Sequence, residues 1–364
     1  MKVGILTLPF HTNYGGFLQA YALKHLLLKE GHEVYFIDNA YSEPQFKKLA
    51  KLLVGRFRKG YLKQIRQTKL ERKNFEEFRS KYLTPFTENI RQLHNPQKLS
   101  KYAFDALVVG SDQVWRKNYD ITRKADYFFD FSSRKETALI SYAASFGVDQ
   151  WEYNEQETEA LAQLAQKFKA VSVRENSGIP LCQIHLKVPA TQLVDPTLVL
   201  DKNVYLNLVG RKATTNKGGL CTYILDPTEE KTEIIDRVCK EINLKKYGVG
   251  IKDHAGTYPA IADWIEGFAN ADYIVTDSFH GCVFSIIFNK PFIAIGNAHR
   301  GLTRFNSLLE LFDLEERLVT SIDKLNFAPV SKPLNWDQIN QRTKELSSQS
   351  LNFLRKNLQN HDGK

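Results

Sequence analysis

Short runs of apolar and β-branched residues, each ending in a polar loop and followed by a helical pattern, recur along this chain and leave few folds open to it. Lys2–Leu8 predicts a first strand, Pro9–Gly16 the loop at its carboxyl end, and about Phe17 to Glu30 a helix that Gly31 terminates. Glu33–Asp38 predicts the next strand. Further strands are expected at Ala106–Val109, ending in Gly110-Ser111-Asp112, and at Thr137–Tyr142. A helix is expected at Glu155–Lys167, a strand at Ala170–Val173 meeting Arg174, and a strand at Gln192–Val194 before Asp195-Pro196-Thr197. The stretch Asp201–Gly218 is polar, lacks a strong period, carries Lys212–Lys217, and marks a domain boundary. The pattern then restarts, with strands expected at Gly219–Leu225, Lys246–Ile251, Tyr273–Thr276 and Phe292–Ile295. Helices at Glu229–Ile242, Ala260–Asn270 and Gly281–Phe288 alternate with them, and Trp336–Leu358 is a last amphipathic helix. The expected fold class is α/β, with two Rossmann-like parallel-sheet domains facing across a cleft. Residues 1–205 form the first domain, 206–330 the second, and 331–364 a helical segment returning toward the first.

Composition supports that organisation. The 364 residues suit two domains, and a hydrophobic share of 43% supplies enough apolar surface to offset chain entropy. No apolar run approaches the roughly 18 residues that cross a bilayer, and MKVGILTL reads as a core strand rather than a cleavable signal. The cysteines, Cys182, Cys221, Cys239 and Cys282, show no CxxC pairing and read as reduced, buried thiols of a cytoplasmic protein. The net charge of +9 is local: residues 45–82 hold 13 Lys or Arg against 3 Asp or Glu, leaving 37 basic and 38 acidic residues elsewhere. Phe46, Leu49, Ala50, Leu53 and Phe57, then Leu62, Ile65, Phe75 and Phe78, recur there at helical spacing, so a basic amphipathic helix pair is expected. Such a pair suits an anionic membrane surface or an anionic substrate, or is a solvated face whose apolar side packs on the body. Nucleic acid is not the expected partner, because no recognition motif accompanies the charge.

In open parallel sheets, ligands gather beyond the carboxyl ends of strands, where helix N-termini offer unpaired N–H groups to anions. Polar clusters fall at such places. Asn13-Tyr14-Gly15-Gly16 follows the first strand, and its paired glycines allow a close backbone approach or a plain turn. In Gly110-Ser111-Asp112-Gln113, Asp112 is a base toward a hydroxyl or the cap of a following helix. Arg174 presents a planar fork suited to carboxylate or phosphate, or pairs with Glu175 or another acid. In Thr276-Asp277-Ser278-Phe279-His280-Gly281, His280 sits on the first turn of a helix, where the dipole disfavours an imidazolium and a bound anion favours it. That balance suits proton transfer near neutral pH. Arg300 and Arg304 add cations on a loop expected to overhang the same cleft. The chain has no Walker loop, GxGxxG fingerprint, zinc spacing or GxSxG elbow.

The segments VGILTLPFHTNYGGFLQAYAL, VVGSDQVW, SYAASFG, AVSVREN, LVDPTLVL, DWIEGFANADYIVTDSFHG and RFNSLLELFDL, spread from residue 3 to about residue 314, resemble the polysaccharide pyruvyl transferase family. The resemblance implies a fold similar to the two-domain glycosyltransferase-B type, with an acceptor side in the first domain and a donor side in the second. It implies transfer of a pyruvyl group from phosphoenolpyruvate to a sugar as a cyclic ketal, in cell-surface polysaccharide biosynthesis. Arg174 in VSVREN matches the family's donor-binding arginine, and His280 in SFHG its proton-transferring histidine. Many members carry Arg two places before that histidine, where this chain has Ser278. Donor binding therefore falls to Arg174, Ser278, Arg300 and Arg304, catalysis to His280 and Asp112, and acceptor binding to Asn13, Tyr14, Gly15, Gly16 and Gln113. No cofactor or metal is expected beyond phosphoenolpyruvate as co-substrate. The acceptor is a saccharide, with a lipid-linked one suiting peripheral contact of 45–82 with the inner face of the plasma membrane. A nucleotide-sugar glycosyltransferase and a non-catalytic carbohydrate-binding subunit are the competing readings.

Overall fold

A computed structural model describes residues 1–39, 61–89, 97–119, 123–132, 136–210, 218–296 and 301–359. Arg300 and the first part of the basic segment, residues 45–60, lie outside the described residues.

Two all-parallel sheets carry the fold. The first comprises β1 (Lys2–Leu6), β2 (Glu33–Phe36), β3 (Ala106–Val109), β4 (Ala138–Ala144), β5 (Ala170–Val173) and β6 (Thr191–Gln192), in the order β2-β1-β3-β4-β5-β6. The second comprises β7 (Leu220–Tyr223), β8 (Lys246–Gly248), β9 (Tyr273–Thr276), β10 (Phe292–Ile295) and β11 (Leu318–Val319), in the order β11-β10-β9-β7-β8. β3, β9 and β10 are buried along their whole length, as strands covered on both faces must be, and this is why they are apolar throughout. In each sheet the chain turns one way and then the other about a pair of neighbouring strands, β1 and β3 in the first, β7 and β9 in the second. Loops leaving such a pair diverge and open a crevice at the carboxyl edge. The clusters around Gly15, Asp112 and His280 leave β1, β3 and β9 at these two switch points.

Two helices start earlier than their glycines suggested. The first helix spans Tyr14–Lys29, not Phe17–Glu30, because the Asn13 side chain accepts from the Gly16 N–H and closes the first turn. It ends as expected before Gly31, which adopts φ +82°. The second spans Phe279–Ile287, with Ser278 as its cap, so His280 lies in its first turn. No helix follows Asp112 directly; its Oδ1 instead accepts from the Gln113 N–H at 2.8 Å.

One apolar cluster runs through both sheets and joins them. The Tyr14 ring stacks on Trp264 at 5.5 Å, and its hydroxyl donates to the Pro259 carbonyl at 2.9 Å. Phe75 of the basic helix Tyr61–Tyr82 lies 4.8 Å from Tyr14 and 6.0 Å from Tyr258, so the apolar side of that helix packs on the body. The last helix, Trp336–Asn357, reaches the first sheet's helices, with Arg355 forming a fork to Glu30 at 2.7 and 2.8 Å. Cys182, Cys221 and Cys282 are buried, and burial pushes the thiols of Cys182 and Cys221 up to about 12. Cys239, expected to be buried, is half-buried. It sits on the amphipathic helix Glu229–Ile242, whose fully buried face is Lys231, Ile234, Ile235 and Val238.

Candidate active site

The site is assembled around one carboxylate. β6 delivers the chain to Asp195, which caps the helical turn Pro196–Val199; its Oδ1 accepts from the Thr197 N–H at 3.1 Å and the Thr197 hydroxyl at 2.7 Å. Its Oδ2 accepts from the Ser111 hydroxyl at 2.8 Å and from Arg174 Nη1 at 2.9 Å, and lies 3.6 Å from His280 Nε2. Ser111 leaves β3 and Arg174 leaves β5, whereas His280 comes from the other sheet. Burial alone would push the Asp195 carboxyl up, but His280, Arg174 and Thr197 outweigh it and hold it well below the usual carboxylate range.

Arg174 is 4% exposed, and its guanidinium stands 4.4 Å from the centroid of the Phe279 ring. Burial disfavours its cation, yet Glu175, Asp195 and Asp112 together hold it above the ordinary arginine value. Of the structural partners the sequence allowed, Glu175 or another acid, the fold takes the second. Glu175 Oε1 accepts from Ser145 and from the Gly147 N–H instead, and Arg174 pairs with Asp195. That pairing uses a single nitrogen, for Arg174 Nε and Nη2 are buried with no hydrogen-bond partner among the described residues. Arg304 flanks the same Phe279 ring at 5.9 Å. Burial, and then repulsion from Arg174, pulls its guanidinium down to about 10.

His280 rests on Gly15. A Cβ at residue 15 would stand 2.0 Å from the imidazole Nδ1, so only glycine leaves room for the ring across the domain contact. Its Nε2 is buried, faces Asp195 Oδ2 at 3.6 Å, and makes no hydrogen bond among the described residues. Asp112 Oδ2 is the side-chain atom nearest to Gly16, 3.6 Å from where a Cβ would stand there, which sets this carboxylate beside the same helix start.

The structure thus brings His280, Arg174, Arg304, Asp112, Gly15 and Gly16 together. Four expected residues are otherwise engaged. Tyr14, read as an acceptor contact, is buried between the sheets and committed to Trp264 and Pro259. Gln113 is buried with its amide oxygen accepting from Arg116 Nη1 at 3.1 Å. The Ser278 hydroxyl accepts from the Gly281 N–H as a helix cap. Asn13 is exposed and caps the first helix. Asp195, Ser111 and Phe279 were not assigned from the sequence. The one signal for Asp195 was its place at a strand's carboxyl end before Pro196-Thr197, which reads equally as a plain cap. Asp277, beside His280, is also engaged: it accepts from Lys231 Nζ at 2.6 Å and from the N–H groups of Leu225 and Asp226, tying the ends of β7 and β9. Among the described residues, no group of three His, Cys, Asp or Glu could hold a metal ion.

Two facing parallel sheets with charged residues gathered between their carboxyl edges define a protein of the glycosyltransferase-B-like class. Residues 13–299 match the family described as polysaccharide pyruvyl transferase, and the chain belongs to that family. Among solved structures, the chain is similar to UDP-GlcNAc 2-epimerase from Neisseria meningitidis bound to UDP-GlcNAc, with TM-score 0.54, 8% identity and coverage of 98% of this chain and 99% of that one. It is also similar to a Listeria monocytogenes protein provisionally assigned as a UDP-N-acetylglucosamine 2-epimerase, with TM-score 0.50, 11% identity and coverage of 100% and 98%. At these identities the likeness is one of fold. No curated protein matches the sequence.

Proposed function

We propose that this chain moves a pyruvyl group from phosphoenolpyruvate onto two hydroxyls of one sugar, as a cyclic ketal, in cell-surface polysaccharide biosynthesis. Family membership supports a transferase of that pathway; the donor and the ketal are our reading of the site. One observation carries it: among the described residues the buried Nε and Nη2 donors of Arg174 have no hydrogen-bond partner, and Arg174 and His280 both face the same Asp195 oxygen. An unpaired buried donor costs about 1–3 kcal/mol, so a site that keeps such donors suits a ligand rich in acceptors. Phosphoenolpyruvate brings a carboxylate and a phosphate, and a guanidinium fork suits either.

In this scheme Arg174 and Arg304 hold the donor, with Arg300 as a further candidate. His280 gives a proton to the methylene carbon, which makes the adjacent carbon electrophilic. A sugar hydroxyl attacks that carbon while Asp112 takes its proton. Phosphate leaves, and a second hydroxyl of the same sugar closes the ring and releases its own proton. The scheme runs on the two substrates alone.

The test is incubation with phosphoenolpyruvate and galactose, mannose and glucosamine acceptors. Phosphate release with a mass gain of one pyruvyl ketal is expected. Affinity for UDP or GDP with none for phosphoenolpyruvate would instead make the chain a nucleotide-sugar glycosyltransferase. His280→Ala is expected to abolish turnover and keep the fold; a carbohydrate-binding subunit would keep its function.

We further propose a lipid-linked acceptor met at the inner face of the plasma membrane. Exposed Lys63, Arg66 and Lys69 alternate with exposed Ile65 and Leu70 on the basic helix, a pattern suited to anionic lipid. Among the described residues no helix is long and apolar enough to cross a membrane. Flotation with anionic liposomes tests the contact, and binding untouched by neutralising Lys47, Lys48, Lys51, Arg56 and Arg58 rejects it.

A further inference from the structure

We infer that Phe279 is the positioning residue of an anion site: its buried ring restrains the guanidiniums of Arg174 and Arg304, one from each domain, and leaves donors of Arg174 to an anionic ligand. The inference rests on the reading of this cleft as a donor site, and it reaches a residue that reading leaves without a role. Phe279 is the first residue of the helix Phe279–Ile287 and is buried. The Arg174 guanidinium, from the end of β5 in the first domain, stands 4.4 Å from the centroid of its ring. The Arg304 guanidinium, on the helix Thr303–Glu310 of the second domain, stands 5.9 Å from the same centroid. The His280 ring meets Phe279 nearly edge-on at 5.3 Å, so the proposed acid sits beside the same anchor.

A guanidinium within about 6 Å of an aromatic centroid is attracted by the ring quadrupole, and the attraction grows when both are desolvated. A phenyl ring has no hydrogen-bonding atom, so it restrains a guanidinium without taking up its N–H donors as a carboxylate does. Arg174 shows the consequence. Asp195 takes Nη1 at 2.9 Å, the ring restrains the group, and Nε and Nη2 have no hydrogen-bond partner among the described residues. Repulsion from Arg174 follows burial among the causes that pull the Arg304 guanidinium down to about 10, which puts the two cations within reach of one ligand. Glu175, which faces both, is engaged by Ser145 and the Gly147 N–H.

Leucine keeps much of the apolar bulk of Phe279 without its π-face, and tyrosine keeps the face. The measurement is calorimetric titration of the whole protein with inorganic phosphate, in the wild type, Phe279→Leu and Phe279→Tyr, with R174Q as the check that the anion sits here. Phosphate affinity is expected to fall about fivefold or more in F279L and to stay within about twofold in F279Y; R174Q is expected to weaken it as well. Equal affinity in the wild type and F279L, an equal loss in F279Y, binding untouched by R174Q, or no phosphate binding by the wild type each overturns the inference. Thermal midpoints without phosphate record any loss of packing separately, and if F279L does not fold, F279M takes its place with the same expectation. Titration with phosphoenolpyruvate tests the functional reading apart from this: a wild type that binds phosphate and not phosphoenolpyruvate defeats that reading and leaves the role of Phe279 standing. Where turnover is found, F279L is expected to raise the KM for phosphoenolpyruvate by a larger factor than it lowers kcat, and the reverse overturns the inference.

Discussion

Gly15 shows how much a single missing carbon sets. The His280 ring occupies the volume a Cβ would take, so Gly15→Ala must displace the imidazole or part the two domains. Overpacking of this kind costs about 1–3 kcal/mol, and the larger loss is expected in turnover, measured beside the thermal midpoint. A variant that keeps full turnover would show that the ring position is not needed. Asp195 makes a second prediction at this scale. Its carboxyl is depressed in the folded chain, so the ionised form is what folding favours. Its contribution to stability is therefore full above the ordinary value near ~3.9 and is lost as pH falls through the depressed one. Urea midpoints should drop as pH falls below about 4, and D195N should flatten part of that drop.

Among elements, the basic helix Tyr61–Tyr82 has two distinct halves. Its first turns carry exposed Lys63, Arg66 and Lys69, while Phe75 and Phe78 are buried beyond them. Phe75 touches Tyr14 from the first sheet's helix and Tyr258 from the second domain. Phe75→Ala should cost about 3–5 kcal/mol, whereas neutralising Lys63 should leave stability within about 0.5 kcal/mol; chemical denaturation measures both. Several elements were legible to the residue. Ala106–Val109, Ala170–Val173, Glu229–Ile242, Tyr273–Thr276 and Phe292–Ile295 form as their local patterns predict, because apolar runs and a Thr228 cap are local signals. The starts at Tyr14 and Phe279 were less legible. Glycines there argue for loop by propensity, while capping by Asn13 and Ser278 and packing across the domains argue for helix, and the latter two prevail.

For the whole molecule, the shared apolar cluster has a consequence for cooperativity. Val3 and Ile5 of the first sheet, Cys221 and Ile274 of the second, and Tyr14 and Trp264 between them belong to one continuous core. Two sheets that share a core should unfold together, so calorimetry is expected to record a single transition. Two separated transitions would show that the domain contact is weaker than its packing implies. The Arg355–Glu30 pair adds little here, because exposed ion pairs contribute about 0–1 kcal/mol. Trp264→Ala, at the centre of the contact, should cost about 3–5 kcal/mol and broaden or split the transition.

The residue order alone determined the alternation of strands and helices, the two parallel sheets, and the candidate standing of His280, Arg174 and Asp112, because each depends on neighbours within a few positions along the chain. Folding decided which groups meet. Residues 111, 174, 195 and 280 are separated by up to 169 positions, yet three of them converge on one oxygen of the fourth. No local pattern encodes that meeting; it follows from strand order in the first sheet and from the angle at which the second domain closes on it. The same closure placed Gly15 under an imidazole, turned Tyr14 from a ligand contact into an interdomain anchor, and made a capping aspartate the hub of the site.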